Sequence, residues 1–167
     1  MKGTGLFPRT ELLKIKAQPK RLIAAAFTAH QKRRFPPPLH KVQPSRRSST
    51  NLISLGGDFY AAFVARTADT YEKKAMYGFL LRGDKEAELT CLLRLDWHPS
   101  HKGMHCIVNC EQERDLSGRN LAGCKELALK DSPVSGLDPD IEDHRKEFIR
   151  IFCDVCNISA GEAGLLS

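Results

Sequence analysis

Three histidines, a carboxylate and an arginine fall within one short run: Arg94, Asp96, His98, His101 and His105. A histidine beside a carboxylate is a usable acid–base pair, because the carboxylate fixes the ring tautomer and raises its basicity. An arginine two residues from that carboxylate can hold a phosphate with both prongs of its guanidinium. With His98 or His101 as a second imidazole, the set suits metal-independent RNA cleavage. One ring would take the 2′-hydroxyl proton and another would protonate the leaving oxygen. Two plainer chemistries use the same residues. Arg94, Asp96 and His105 can form a cross-strand polar cluster on a solvated face. Alternatively, His98, His101 and His105 with Asp96 offer up to four metal ligands, near Cys106 and Cys110. Strong zinc sites show paired short spacings, and the one CxxC, Cys153–Cys156, falls inside a helical pattern where buried thiols fill core space. Neither a metal nor a cofactor is therefore expected.

The elements that hold these residues follow from apolar alternation. Residues 89–109 read as two strands joined by a turn at 98–103. Pairing Asp96 with His105 sets Trp97 opposite Met104, Leu95 opposite Cys106 and Leu93 opposite Val108. That register makes one apolar face and leaves Arg94, Asp96 and His105 on the other. A slip by one residue would bury the imidazole and expose Cys106 and Val108. On this pattern Cys91 shares the Leu89/Leu93 side and is a core residue, as is Cys124. Two further strands precede this pair, Phe59–Arg66 and 76–82, with a turn at 82–85 signalled by Gly83 and Asp84. After the pair come a polar loop at 111–118, a short helix at 120–129, and a terminal helix at 140–157. The last carries Ile141, Phe148, Ile151, Phe152 and Val155 on one stripe, with acids at its start where the helix dipole favours them. The expected fold is α+β: an antiparallel four-stranded meander with C-terminal helices packed on one face.

Charge divides the chain. Residues 1–50 hold twelve Lys/Arg against Glu11 alone, whereas residues 51–167 hold fourteen against nineteen acids. A helical pattern at 20–34, with Leu22, Ile23, Ala26 and Phe27 on one side, is stopped by Pro36-Pro37-Pro38. Residues 35–50 then read as an extended linker. The expected organisation is a basic helical N-terminal arm with a Pro-rich linker over 1–50, and a globular domain over 51–167. Lys20, Arg21, Lys32, Arg33, Arg34, Lys41, Arg46 and Arg47 are the arm's candidate contacts to nucleic acid or to an acidic protein partner. No apolar run approaches the roughly 18 residues of a membrane helix. Six cysteines without a secretory pattern read as reduced thiols, hence a cytoplasmic protein. Oligomeric state is left open by the sequence.

The run LLRLDWHPSHKGMHCIVN, followed by FIRIFCDVCNI, resembles an uncharacterised family of small bacterial proteins associated with mobile or defence-type loci. The pattern is a strand ending in Arg-x-Asp, a His-containing turn, a strand beginning at a His, and a helix finishing in Cys-Asn-Ile. Its residues here are Arg94, Asp96, His101, His105, Cys156, Asn157 and Ile158, within about residues 75–158. The chain departs from it in a shorter turn, in lacking a second His after His105, and in its basic extension. The resemblance implies an interaction protein of a toxin–antitoxin or phage-defence locus. The charge of the basic arm implies that it contacts nucleic acid or an acidic protein partner through that arm. A small ribonuclease is the second expectation, and a metal-binding domain the third.

Overall fold

Strand Phe59–Arg66 (β5) is apolar at almost every position, so neither face of the sheet it founds can be left in water. The computed structural model describes residues 14–83 apart from Lys16 and Ile23, together with 89–99, 103–108, 115–121 and 136–160. Its strands are Lys20–Leu22 (β1), Thr28–Ala29 (β2), Arg47–Ser49 (β3), Ile53–Gly56 (β4), β5, Ala75–Arg82 (β6), Thr90–His98 (β7), Gly103–Val108 (β8), Asp115–Leu121 (β9) and Ile158–Ala160 (β10). One helix, Glu142–Cys156 (α1), precedes β10. The fold is α+β, mostly strands, and the main sheet is antiparallel. It runs β2-β3-β5-β6-β7-β8-β9, with β4 also pairing with β5. The sheet is therefore larger than a four-stranded meander, and one C-terminal helix rather than several packs on it among the described residues. Among those residues no helix is long and apolar enough to cross a membrane.

The pairing of β7 with β8 sets Asp96 against His105, Leu95 against Cys106 and Trp97 against Met104. One face of the sheet thus presents Phe63, Met76, Leu80, Leu95, Trp97 and Cys106, and α1 covers it with Phe148, Ile149, Phe152, Cys153, Val155 and Cys156. Gly78 makes this packing possible. A Cβ there would lie 2.7 Å from Cδ2 of Phe152, whose ring stands edge-on to Phe63 at 4.9 Å. The stripe differs from the sequence reading at its start, since Ile141 is 45% exposed and Cys153 and Cys156 share the buried face instead. Burial pushes the Cys153 thiol up to about 12, with the Asp154 carboxylate adding to the shift, so it stays protonated.

A bulge changes the upstream part of β7. Leu80 pairs with Leu93 but Leu81 pairs with Cys91, which leaves Leu92 as the extra residue. Leu92 and Leu93 both enter the α1-side core, while Leu89 and half-buried Cys91 turn to the opposite face. Cys91 therefore does not share a side with Leu93.

The opposite face buries Ala62, Val64, Phe79 and Leu81, and the segment that covers it is the supposed linker. Phe35 and Leu39 are buried against these side chains, and Leu89 N–H donates to the Pro37 carbonyl at 3.1 Å. His30 fastens the segment. Its Nδ1 lies 2.7 Å from Ser49 Oγ, its Nε2 is 3.2 Å from the Val42 carbonyl, and its ring stacks on Phe35. Arg34 also donates to Ser49 Oγ, at 3.0 Å, which leaves the serine hydroxyl proton for His30 Nδ1 and makes the neutral ring the fitting form.

Residues 20–34 are not a helix. Lys20–Leu22 pairs in parallel with Ile158–Ala160, and Thr28–Ala29 pairs with β3. Of the expected stripe, Leu22 enters the α1-side core and Phe27 packs beside it, whereas Ala26 is exposed and its neighbour Ala25 is buried instead. Nor are residues 35–50 an extended linker, since they pack on the sheet and supply β3. At 84–85 of the expected turn the sequence reading lies outside the described residues. The polar loop and helix expected around 111–129 give way at 115–121 to strand β9, which pairs with β8. The rest of that helix, including Cys124, also lies outside the described residues.

Two stability measurements check this packing. Phe152→Ala should cost about 3–5 kcal/mol in urea unfolding, and Gly78→Ala roughly 1–3 kcal/mol through the clash. In the Phe152→Ala background the added methyl enters vacated space, so Gly78→Ala should there be neutral or stabilising. An equal cost in both backgrounds would contradict the packing of Phe152 on Gly78.

Burial lowers the His30 pKa, with Arg34 and Arg47 reinforcing the shift and the Val42 hydrogen bond opposing it. The folded chain thus binds this proton less readily than the unfolded chain, whose histidine titrates near 6.5. The contribution of His30 is full above about pH 6.5 and is lost as pH falls toward the lowered value. Stability should decline between about pH 7 and pH 5 in the native chain. The decline should be visibly shallower in His30→Gln, and equal slopes would count against the neutral, buried ring.

Candidate functional site

Downstream of the bulge, β7 alternates so that Arg94, Asp96 and His98 lie on the face away from α1. Tyr77 of β6 pairs with Asp96, and Phe79 with Arg94. Asp96 is only 1% exposed, yet it is charged, and Arg94 compensates it in a two-pronged ion pair. Nε donates to Oδ1 at 2.7 Å and Nη2 to Oδ2 at 2.8 Å. His98 Nε2 stands 3.8 Å from the same Oδ2, and its ring meets Tyr77 edge-on at 5.4 Å. The Arg94 guanidinium carbon lies over the Tyr77 ring, 5.9 Å from its centre. Burial holds the Tyr77 phenol above its ordinary range; Asp96 adds to this, while Arg66, Arg94 and Arg47 oppose it.

These groups line a cleft of about 380 Å³ together with Lys41, Val42, Gln43, Arg47 and Val64. The segment fastened by His30 therefore supplies one wall and β3 another. A second cleft of about 370 Å³ shares Arg47 and is lined by Ser45, Arg46, Arg66, Thr67, Asp69, Thr70 and Lys73. The two together collect Lys41, Arg46, Arg47, Arg66, Lys73 and Arg94 against Asp69 and Asp96. Asp69 pairs with Arg46 at 2.9 Å, and Asp96 with Arg94. Among the described residues no carboxylate pairs with Lys41, Arg47, Arg66 or Lys73.

The residues singled out from the sequence fare differently. Arg94, Asp96 and His98 come together. His105 is the register partner of Asp96, but its side chain lies outside the described residues, as does all of His101. The Arg94 fork is engaged by Asp96, so it is not the open phosphate grip that the spacing implied. Asp96 is likewise committed, with His98 beyond hydrogen-bond reach, so it does not serve that ring as an acid–base partner here. Among the described residues no three His, Cys, Asp or Glu side chains gather as a metal site.

Of the basic candidates, Lys41, Arg46 and Arg47 reach the clefts. Lys20 is 5% exposed and spends its ammonium on the carbonyls of Ile15, Gln18 and Cys156, the last at the C-terminus of α1 where a cation suits the dipole. Arg34 is bound to the Ser49 and Ala29 carbonyls. Arg21, Lys32 and Arg33 are exposed and line neither cleft. Tyr77, Arg66 and Lys73 were not foreseen. Tyr77 was legible as sharing a side with Phe79, but only the β6–β7 register puts it beside Asp96. Comparison with models of known protein families, with curated proteins and with solved structures finds no match.

The ion pair itself is testable. Asp96→Asn leaves Arg94 without its counter-charge and should cost about 1.5–3 kcal/mol in urea unfolding. Adding Arg94→Gln should cost little more, since the pair is already broken. Fully additive losses would show that the two side chains act independently.

Proposed function

We infer that this chain is an interaction protein that contacts nucleic acid through the face holding the two clefts. The bacterial toxin–antitoxin or phage-defence setting implied by the resemblance belongs to the same proposal. The observation that carries it is the direct cross-strand pairing of Arg47 with Arg66. Like charges opposite one another in an antiparallel pair are destabilising, and a fold selected for stability alone has no use for them. Among the described residues neither is paired with an acid. Arg47 donates to the Ser45 carbonyl at 2.9 Å and Arg66 to the Lys73 carbonyl at 2.9 Å, which orients both without neutralising either. Arg46 adds local strain, at φ 57°, a region that residues with a side chain seldom adopt. Uncompensated cations held on a rigid sheet are what a row of phosphates recognises. The basic residues thus act as a fixed surface in place of a flexible arm.

The test is binding of a labelled oligonucleotide across a salt series. The logarithm of affinity should fall linearly with that of salt. Arg47→Ala or Arg66→Ala should each flatten the slope by about 0.7–0.9 for every phosphate left without its cation. The same variants should keep or slightly raise stability, by a few tenths of a kcal/mol, because the repulsion is relieved. Affinity that ignores salt, or that survives both substitutions, would overturn the reading. Binding of polyglutamate with no binding of any oligonucleotide would point to an acidic protein partner instead.

A further inference from the structure

Resting on that nucleic-acid reading, we propose that the ligand is a single strand, with one base stacked on the outer side of the Arg94 guanidinium and the flanking phosphates on Arg47 and Arg66. Asp96 fixes the plane of this guanidinium by taking Nε–H and one Nη2–H, so a phosphate can reach only the Nη1 edge, while the outer side of the plane is open to a ring. The two bonds to Asp96 run edge-on in the plane of the guanidinium, and the Tyr77 ring lies under its carbon. What remains for a ligand is the other side of a planar, charged group that is still 39% exposed. Nucleobases stack on such planes as they do on aromatic rings.

The composition of the two clefts matches the two halves of a nucleotide. The first contains Val42, Val64 and Phe79 beside Tyr77, apolar surface that a ring fills and a bare phosphate does not. Gln43 in its lining can donate to or accept from a base edge. The second cleft carries no aromatic side chain; Ser45, Thr67, Ala68 and Thr70 lie among its cations, and its one carboxylate, Asp69, is paired with Arg46. Arg47 lines both, so a base in the first lies next to a phosphate in the second. A duplex keeps its base faces inside the stack and cannot fill the first cleft. An unpaired strand can splay one base into it. Asp96 is then a positioning residue, acting on the ligand through Arg94.

Fluorescence anisotropy on the full chain separates this from simple charge attraction. The probes are a strand of about a dozen nucleotides, an abasic strand of equal length, and a duplex. The intact strand should bind roughly tenfold more tightly than either of the others. Asp96→Asn removes a negative charge from the face, so abasic and duplex binding should hold or strengthen, while the preference for bases disappears. Arg94→Lys keeps the charge and loses the plane, and it should erase the preference in the same way. That variant at an exposed position also serves if Asp96→Asn does not fold. Equal binding of intact and abasic strands by the native chain would overturn the stacking proposal and leave phosphate recognition standing. A preference for bases that survives Arg94→Lys would overturn it too. Failure of all three probes to bind would overturn the nucleic-acid reading beneath it.

Discussion

The fold depends on one constraint, that β5 and β6 are apolar on both faces and each face needs its own cover. On one side Phe152 fits over Gly78, and the stripe of α1 seals Phe63, Leu95 and Trp97. On the other side, among the described residues, a Pro-rich segment carrying Phe35 and Leu39 provides the cover in place of a helix. Proline suits it, because a cover that lies flat on a sheet needs few amide donors of its own. The ends of this cover are tied down by His30, Arg34 and Ser49, a small polar network buried beside the strands. The segment from Lys20 to Thr50 is consequently built into the fold.

The same constraint creates the site. At the distal half of β7 the cover leaves a cleft walled by Lys41, Val42 and Gln43, and there the outward positions of the strand change from apolar to Arg94, Asp96 and His98. A buried carboxylate on a sheet needs a partner, and Arg94 meets that need at the expense of its own freedom. Basic residues that would wave freely in a disordered arm are instead set at defined points: Lys41 by the cover, Arg47 by β3, Arg66 by the end of β5. Holding Arg47 opposite Arg66 is unfavourable for folding, and under the proposed function it serves binding. The locally frustrated pair and the open clefts coincide.

Much of the body was legible from its alternation. The β7–β8 register followed from keeping Cys106 inside and Asp96 outside, and the terminal helix from the spacing of Phe148, Phe152 and Val155. What escaped sequence reading was decided at long range. Lys20–Leu22 is a strand because Ile158–Ala160 is there to pair with it, and Lys20 is buried because Cys156 ends a helix beside it. Nothing local in KRLIAAAF announces either, and its leucine, alanine and phenylalanine spacing imitates a helix. The bulge at Leu92 was hidden by a run of apolar residues on both sides of it, since alternation cannot reveal an extra residue where every candidate is apolar. Of the site, Asp96 with Arg94 was visible in the spacing. The clefts were not, because they need the chain from 41 to 47 returned across the sheet.

Amide hydrogen exchange on the native chain tests the central claim directly, that residues 20–50 are built into the fold. The informative amides are those of Lys20, which donates to Asn157, His30, which donates to Arg47, and Thr50, which donates to Phe63. If this region belongs to the core, these amides should exchange as slowly as those in the middle of β5 and β6, opening only with global unfolding. Exchange at rates typical of an unstructured peptide, with β5 and β6 still protected, would contradict the account.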